Sequence, residues 1–307
     1  MDAAIGRRAG TASRGAPVGA RPAGPRDRAR ASHAWLARLA LAAAAVSAAG
    51  GVVAAGAVRP PEGAGNGPGC KGTVYLTFDT GNMRFAEDIA DTLERRRIRA
   101  TFFLANERTT RADHALSDAR AAFWRRLVAA GHVFGSHTHD HVYFRRAPAA
   151  PDGAPRVLAK PQFGAHAGVQ RAWDPAAVCT EIERVDTRFR ELTGQPLSRL
   201  WRVPGGRGPR AVFDAASACG WQHVGWTDAG FLGDELPSDR HPNARLLADS
   251  LARIGDGDVL MAHLGIWSRK DPWAPMLGPL IDGLLARGLC FDTVDRLADP
   301  ARVAASR

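Results

Sequence analysis

The chain has 307 residues, 45% of them hydrophobic, and a formal charge of +10. That is enough length for a substantial core, with one or two domains open on length alone. The charge invites a nucleic-acid partner, but residues 1–38 hold eight arginines against Asp2 and Asp27. The leader therefore carries +6, the rest of the chain only +4, and no basic stripe interleaved with aromatics follows, which argues against nucleic acid.

After Arg38 comes an uncharged stretch, Leu39–Val58, rich in Ala and Gly and followed by a Pro/Gly linker. An apolar segment behind a basic lead reads as an export signal or an inner-membrane anchor. Residues 1–70 are thus expected to be leader and linker, with the bulk of the chain outside the cytoplasm, periplasmic or extracellular. Cys70, Cys179, Cys219 and Cys290 include no C-x-x-C pair, and in an exported chain they are disulfide candidates. Cys70 and Cys290 precede the first and last predicted strands and are the first pair to expect.

From Lys71 strand and helix patterns alternate. "TVYLTFD" from Thr73 sets Val74, Leu76 and Phe78 against Tyr75, Thr77 and Asp79, the period of a strand, and ends at a glycine turn. Phe85, Ile89 and Leu93 give the next segment one apolar helical stripe. "RATFFLA" predicts a second strand, Ala115–Ala130 a second helix and "HVFGSH" a third strand. Val142–Trp173, rich in Ala, Pro and Gly, keeps no sustained period and reads as a long loop over the neighbouring histidines. A helix capped by Asp174, with Pro175 in its first turn and Gly194 at its end, restarts the pattern. "SRLWRVP", a helix to Cys219, "QHVGWTD", a helix over Asn243–Ile254, "DVLMAHL", a helix to Arg287 and "CFDTV" complete about seven β/α units. Such alternation implies parallel strands under helices, as a barrel or an open sheet. No G-x-G-x-x-G follows the first strand, which argues against a dinucleotide site. In a barrel the chemistry collects where strands end, and Asp79, His137, Arg202, Asp228 and His263 each fall there.

The densest of these places is "HTHDH", His137 to His141. If the strand turns helically, His137 and His141 face one way; if it continues, His137, His139 and His141 share a face. Either set suits a divalent ion such as zinc. Asp79 could deprotonate a bound water or simply cap a helix. Arg202, emerging from an apolar strand, needs an acid, and Asp228 is the expected partner. His263 after a buried strand is a core residue or a proton donor.

Taken in order, "TFDTG", "HTHDH", "WRVPGG", "GWTDAG" and "LMAHLG" resemble the polysaccharide deacetylases with a NodB-type homology domain. The resemblance spans Lys71 to Leu297, leaving residues 298–307 as a tail. It implies an α/β fold, a distorted (β/α)7 barrel, and metal-dependent removal of acetyl groups from an N-acetylated glycan. It further implies Asp79 as general base, His137 and His141 as metal ligands, most often of Zn²⁺, and His263 as general acid. Arg202 and Asp228 would position the base, the Gly205 main chain would steady the oxyanion, and Leu260 and Met261 would line the acetyl pocket. Two positions depart from the family pattern. Thr80 stands where a second aspartate is the third metal ligand, leaving the metal weakly held, helped by Asp140 or another group, or absent; Gly205 stands where an aromatic is common. A non-catalytic glycan-binding relative and an amidohydrolase acting on a non-sugar amide are the competing readings. Trp226, Trp267 and Trp273 are candidates to stack on sugar rings, or are core.

Overall fold

The computed structural model describes residues 69–297. The basic leader, the apolar stretch Leu39–Val58 and the tail 298–307 lie outside the described residues. Among the described residues no helix is long and apolar enough to cross a membrane.

The main sheet is parallel. Its strands are β1 (Gly72–Asp79), β2 (Thr101–Leu104), β3 (Val133–Ser136), β7 (Leu200–Trp201), β8 (Gln222–His223), β9 (Val259–His263) and β10 (Leu289–Asp292). The order runs β10-β1-β2-β3-β7-β8, with β9 on the other edge of β1. Helices α1 (Ala86–Arg96), α2 (Ala121–Ala129), α3 (Pro175–Thr193), α4 (Arg210–Ala218), α5 (Asn243–Arg253) and α6 (Leu277–Ala286) supply the crossovers. The sheet curls toward closure without completing it. Between β8 and β9 an irregular segment takes over, in which Met261 N–H donates to the Gly230 carbonyl at 2.9 Å and Phe231 bridges Met261. The architecture is an α/β half-barrel, which agrees with the parallel sheet implied by the alternation and with the distorted barrel implied by the family resemblance.

Strand periodicity sorts β1 into two faces. Val74, Leu76 and Phe78 join the large core shared with the helices, whereas Tyr75 packs inside the curl with Phe103, Leu200, Val224 and Val259. Both faces are buried, as a parallel sheet between helices and a filled interior requires. The interior face delivers Thr77 and Asp79, and its continuation on the neighbouring strands delivers His137, Arg202 and His263. Register aligns the ends, Asp79 standing opposite His263 and Thr77 opposite Met261.

Local signals act as expected at α3, where Asp174 Oδ1 accepts the Ala177 N–H at 2.8 Å and Gly194 ends the helix at φ 76°. Two elements differ from expectation. The second helix starts at Ala121, because Arg120 bonds Asp113 at 2.8–2.9 Å and holds the preceding segment as a loop. Val142–Trp173 is not a plain loop. It carries a three-stranded antiparallel sheet, β4 (Tyr143–Arg146), β5 (Val157–Lys160) and β6 (Arg171–Trp173). Strands of three or four residues between Pro- and Gly-rich turns are too short to show a period. Disulfides Cys70–Cys290, the pair expected first, and Cys179–Cys219 tie β10 to the start of β1 and α3 to the end of α4.

Candidate active site

Asp79 ends β1 with its side chain on the interior face and only 3% exposed. Its Oδ1 accepts from Arg202 Nη1 at 2.9 Å, and Oδ2 lies 3.6 Å from His137 Nε2. Arg202 is fully buried. Its other guanidinium N–H groups donate to the carbonyls of Val224 and Gly225 at 3.0 and 2.9 Å, and it lies 4.1 Å over the Phe103 ring. Burial pushes the Asp79 carboxyl up, but His137, Arg202 and His263 outweigh it, and the group sits below its usual range. Arg202 thus finds its acid in Asp79 itself. Asp228 is exposed and, among the described residues, forms no ion pair with Arg202. The pairing expected from sequence is corrected: Arg202 is sealed on the interior face, and Asp228 lies in an exposed turn.

Beyond β3 the chain neither continues as a strand nor forms a helical turn. Thr138 and His141 take left-handed φ angles of 59° and 48°, and the Val142 N–H donates to Thr138 Oγ1 at 2.8 Å. This sharp double bend brings the His137 and His141 rings edge to face, 5.0 Å between centroids, and turns His139 outward onto Asp140. Strained backbone of this kind costs about 1–3 kcal/mol per residue and is retained where a site demands it. His137 Nδ1 donates to the Arg202 carbonyl at 3.0 Å, which leaves Nε2 as acceptor; burial drives its pKa down to about 4, so the ring is neutral.

The Asp140 carboxylate is engaged elsewhere, by His139 at 2.7 Å and Arg184 at 2.9 Å, and its backbone N–H by Glu181. It anchors the histidine loop to α3 through a partner on each oxygen.

The donor set for a divalent ion therefore comes down to two imidazoles. His137 presents Nε2, and the buried Nδ1 of His141 has no partner. Thr80, the third position, is sealed, with its hydroxyl donating to Glu107 Oε1 at 2.8 Å and accepting the Ala105 N–H at 3.1 Å. Glu107 Oε1 also accepts the Gly81 N–H at 2.9 Å. Among the described residues no three His, Cys, Asp or Glu side chains come together closely enough to hold a metal. A neutral hydroxyl with both directions committed does not replace a carboxylate, and the set does not fit a three-ligand zinc centre. Glu107, only 7% exposed, was missed by sequence reasoning because "ANERTT" carries no motif and becomes relevant only through the fold.

His263 ends β9. Asp234, 4% exposed, accepts the His263 backbone N–H at 2.7 Å and faces Nδ1 at 3.1 Å, leaving Nε2 toward Asp79. Burial alone would lower this imidazole, but the charge and hydrogen bond of Asp234, then Asp79 and Glu235, raise its pKa to about 9. Asp234, six positions beyond the aspartate that the sequence suggested, is the acid that pairs with His263. The fold selects it because the Gly230–Leu232 segment hydrogen-bonds along β9 and carries Asp234 beneath His263.

The pocket residues divide by strand parity. Met261 lies on the interior face with Asp79 and His263. Leu260 points the other way, fully buried in the helix-side core, and cannot line a pocket on the interior face. Gly205 sits at φ 71° in a tight turn, and a Cβ there would lie 3.0 Å from the Tyr143 ring. Tyr143 in turn meets His141 edge to face at 5.3 Å. Of the three tryptophans, Trp273 is core at 4% exposure, Trp226 is half-buried against Gly206 and Arg202, and Trp267, after β9, is 61% exposed.

Residues 66–224 match the family model for polysaccharide deacetylase. Over 194 residues, 63% of this chain and 71% of the relative, the sequence is 26% identical to a chitooligosaccharide deacetylase of Bradyrhizobium sp. strain ANU 289. Over 229 residues, 73% of this chain and 87% of the relative, it is 24% identical to a peptidoglycan-N-acetylglucosamine deacetylase of Bacillus cereus. A family 4 carbohydrate esterase from Streptomyces lividans, solved with acetate, superposes with a TM-score of 0.52 at 20% identity, covering 77% of this chain and 98% of that one.

Proposed function

The chain belongs to the polysaccharide deacetylase family, and from that premise we propose that it hydrolyses N-acetyl groups on an exported chitooligosaccharide- or peptidoglycan-type glycan, with Asp79 as base and His263 as acid. The observation that carries this is one pair in register on adjacent strands, held in opposite protonation states. Asp79 is kept ionised by Arg202 and the protonated His263, while His263 is kept protonated up to about pH 9 by Asp234. Two titratable groups pushed apart in this way supply a base and an acid at the same pH.

In the proposed roles, Asp79 accepts a proton from the water that attacks the acetyl carbonyl. Arg202 fixes the carboxylate's orientation through Nη1 while its remaining donors are tied to main-chain carbonyls. His263 Nε2–H then protonates the amine nitrogen, without which the C–N bond does not break, since an amine anion is not a viable leaving group. The His137 imidazole lies 3.6 Å from the Asp79 carboxylate and meets the His141 ring edge to face, so these two rings would hold a divalent ion beside the base if one binds. Two disulfides support an oxidising compartment and hence export.

The test is acetate release from N-acetylglucosamine oligomers by the purified protein with and without added Zn²⁺ or Co²⁺, alongside Asp79→Ala and His263→Ala. Activity in the native protein and loss of at least a hundredfold in both variants supports the reading. Glycan binding with no acetate release under any metal condition would overturn it.

A further inference from the structure

The small sheet β4–β6 concentrates charge beside the site. Residues 142–173 contain Arg145, Arg146, Arg156, Lys160 and Arg171 against Asp152 alone. Arg156 pairs with Asp152 at 2.8 Å, and among the described residues the other four cations form no ion pair.

Pairing fixes which of these side chains share a face. Tyr143 stands opposite Lys160, and Arg145 opposite Leu158. Phe144, Val157 and Ala159 lie on the other face and are buried in the core. Tyr143, Arg145 and Lys160 therefore line the solvent face together, with Tyr143 at the end next to His141 and Gly205 and Arg145 about 7 Å further along the strand. Tyr143 is 42% exposed.

The sheet is fastened to the catalytic loop. The Gln162 and Phe163 N–H groups both donate to the Asp140 carbonyl, at 2.9 and 3.1 Å, and Gly164 packs on the Asp140 carboxylate. Arg184 holds that carboxylate from α3. The aromatic and the cations are thus fixed relative to His141, which suits a surface that reads substrate.

Resting on the deacetylase reading, we propose that Tyr143, Lys160 and Arg145 form a subsite for a sugar next to the one deacetylated, and that this sugar bears a carboxylate. The preferred substrate is then an acidic N-acetylated glycan of the peptidoglycan kind, not a neutral one of the chitin kind. The Tyr143 ring offers a flat face to a pyranose, and Arg145 and Lys160, which form no ion pair among the described residues, receive the anion.

The experiment compares carboxylate-bearing muropeptide oligomers with neutral N-acetylglucosamine oligomers of equal length. Affinity and acetate release are both measured on the full protein, on Tyr143→Ala and on the double variant Arg145→Ala/Lys160→Ala. The native protein is expected to favour the acidic glycan on the order of tenfold, from two exposed charge pairs, and to lose that preference as salt rises. The double variant loses the preference, its affinity and kcat/KM for the acidic glycan falling to those it shows for the neutral oligomer, whereas Tyr143→Ala raises KM for both. Equal treatment of the two glycans by the native protein, or a preference surviving in the double variant, overturns the subsite. Absence of acetate release from either glycan overturns the deacetylase reading, and the affinity ratio still reports on the subsite by itself.

Discussion

Replacing Arg202 by methionine tests the electrostatic centre of the site. Arg202 is fully buried and Asp79 is 3% exposed; the guanidinium makes three hydrogen bonds, at 2.9 Å to Asp79 and at 3.0 and 2.9 Å to the Val224 and Gly225 carbonyls. Methionine fills similar volume but satisfies none of these acceptors. Removing one partner of a buried ion pair costs about 3–5 kcal/mol, because the remaining charge is left uncompensated. For a domain of this size that lowers Tm by roughly 10 °C. The pH dependence is more diagnostic. In the native protein the Asp79 pKa is depressed, so its contribution to stability is present above its unfolded value of 3.8 and is lost as pH falls through the folded value. Without Arg202, and with the His137 ring neutral, only His263 opposes burial, and the folded pKa is expected to rise above 3.8. The sign then reverses: the contribution is complete below about pH 4 and lost as pH rises. Urea unfolding at pH 5 and pH 8, with disulfides intact, should show a larger deficit at pH 8. A variant within about 1 kcal/mol of the native protein, with a parallel pH response, would refute the buried-pair account.

Asp234→Asn removes the main support for the His263 imidazolium. The alkaline limb of kcat/KM, set by a pKa of about 9, should move to lower pH; an unmoved limb would remove His263 from the role of acid. Thr80→Asp by itself sets two carboxylates against each other at Glu107, whereas Thr80→Asp combined with Glu107→Gln should tighten zinc binding on the order of 10–100-fold in chelator competition. Tight stoichiometric zinc in the native protein would contradict the two-imidazole donor set. Cys70–Cys290 spans 220 positions and Cys179–Cys219 spans 40, and chain entropy assigns them about 5 and about 4 kcal/mol. Unfolding midpoints of the two double-Ala variants measure this, and a midpoint unchanged on reduction would show that neither bridge contributes.

Much of the site is legible in the linear chain because strand ends leave local marks. An apolar alternating run that stops at an acid and a glycine marks Asp79, "HTHDH" marks the histidines, and a buried strand ending in a histidine marks His263, whose role as acid was implied only by the family resemblance. Periodicity of two also sorts β1 into its helix-side and interior faces. The alternation of strand and helix was enough to imply the parallel α/β architecture, since each crossover needs its helix.

Other assignments depend on through-space relations that no local pattern encodes. The choice of Asp234 over Asp228 follows from an irregular segment hydrogen-bonded to β9. The partnership of Arg202 with Asp79 spans 123 positions. Leu260 falls on the wrong face because parity along β9 is counted from its register with β1. Glu107 acquires meaning only when the turn after β2 packs on Thr80, and the basic face of Tyr143, Arg145 and Lys160 exists only because three short strands pair. Sequence by itself determined which residue types end the strands, since burial and turn chemistry act locally. Tertiary structure alone decided which acid serves which base, because a carboxylate's effect falls off over a few ångströms of space and is indifferent to its distance along the chain.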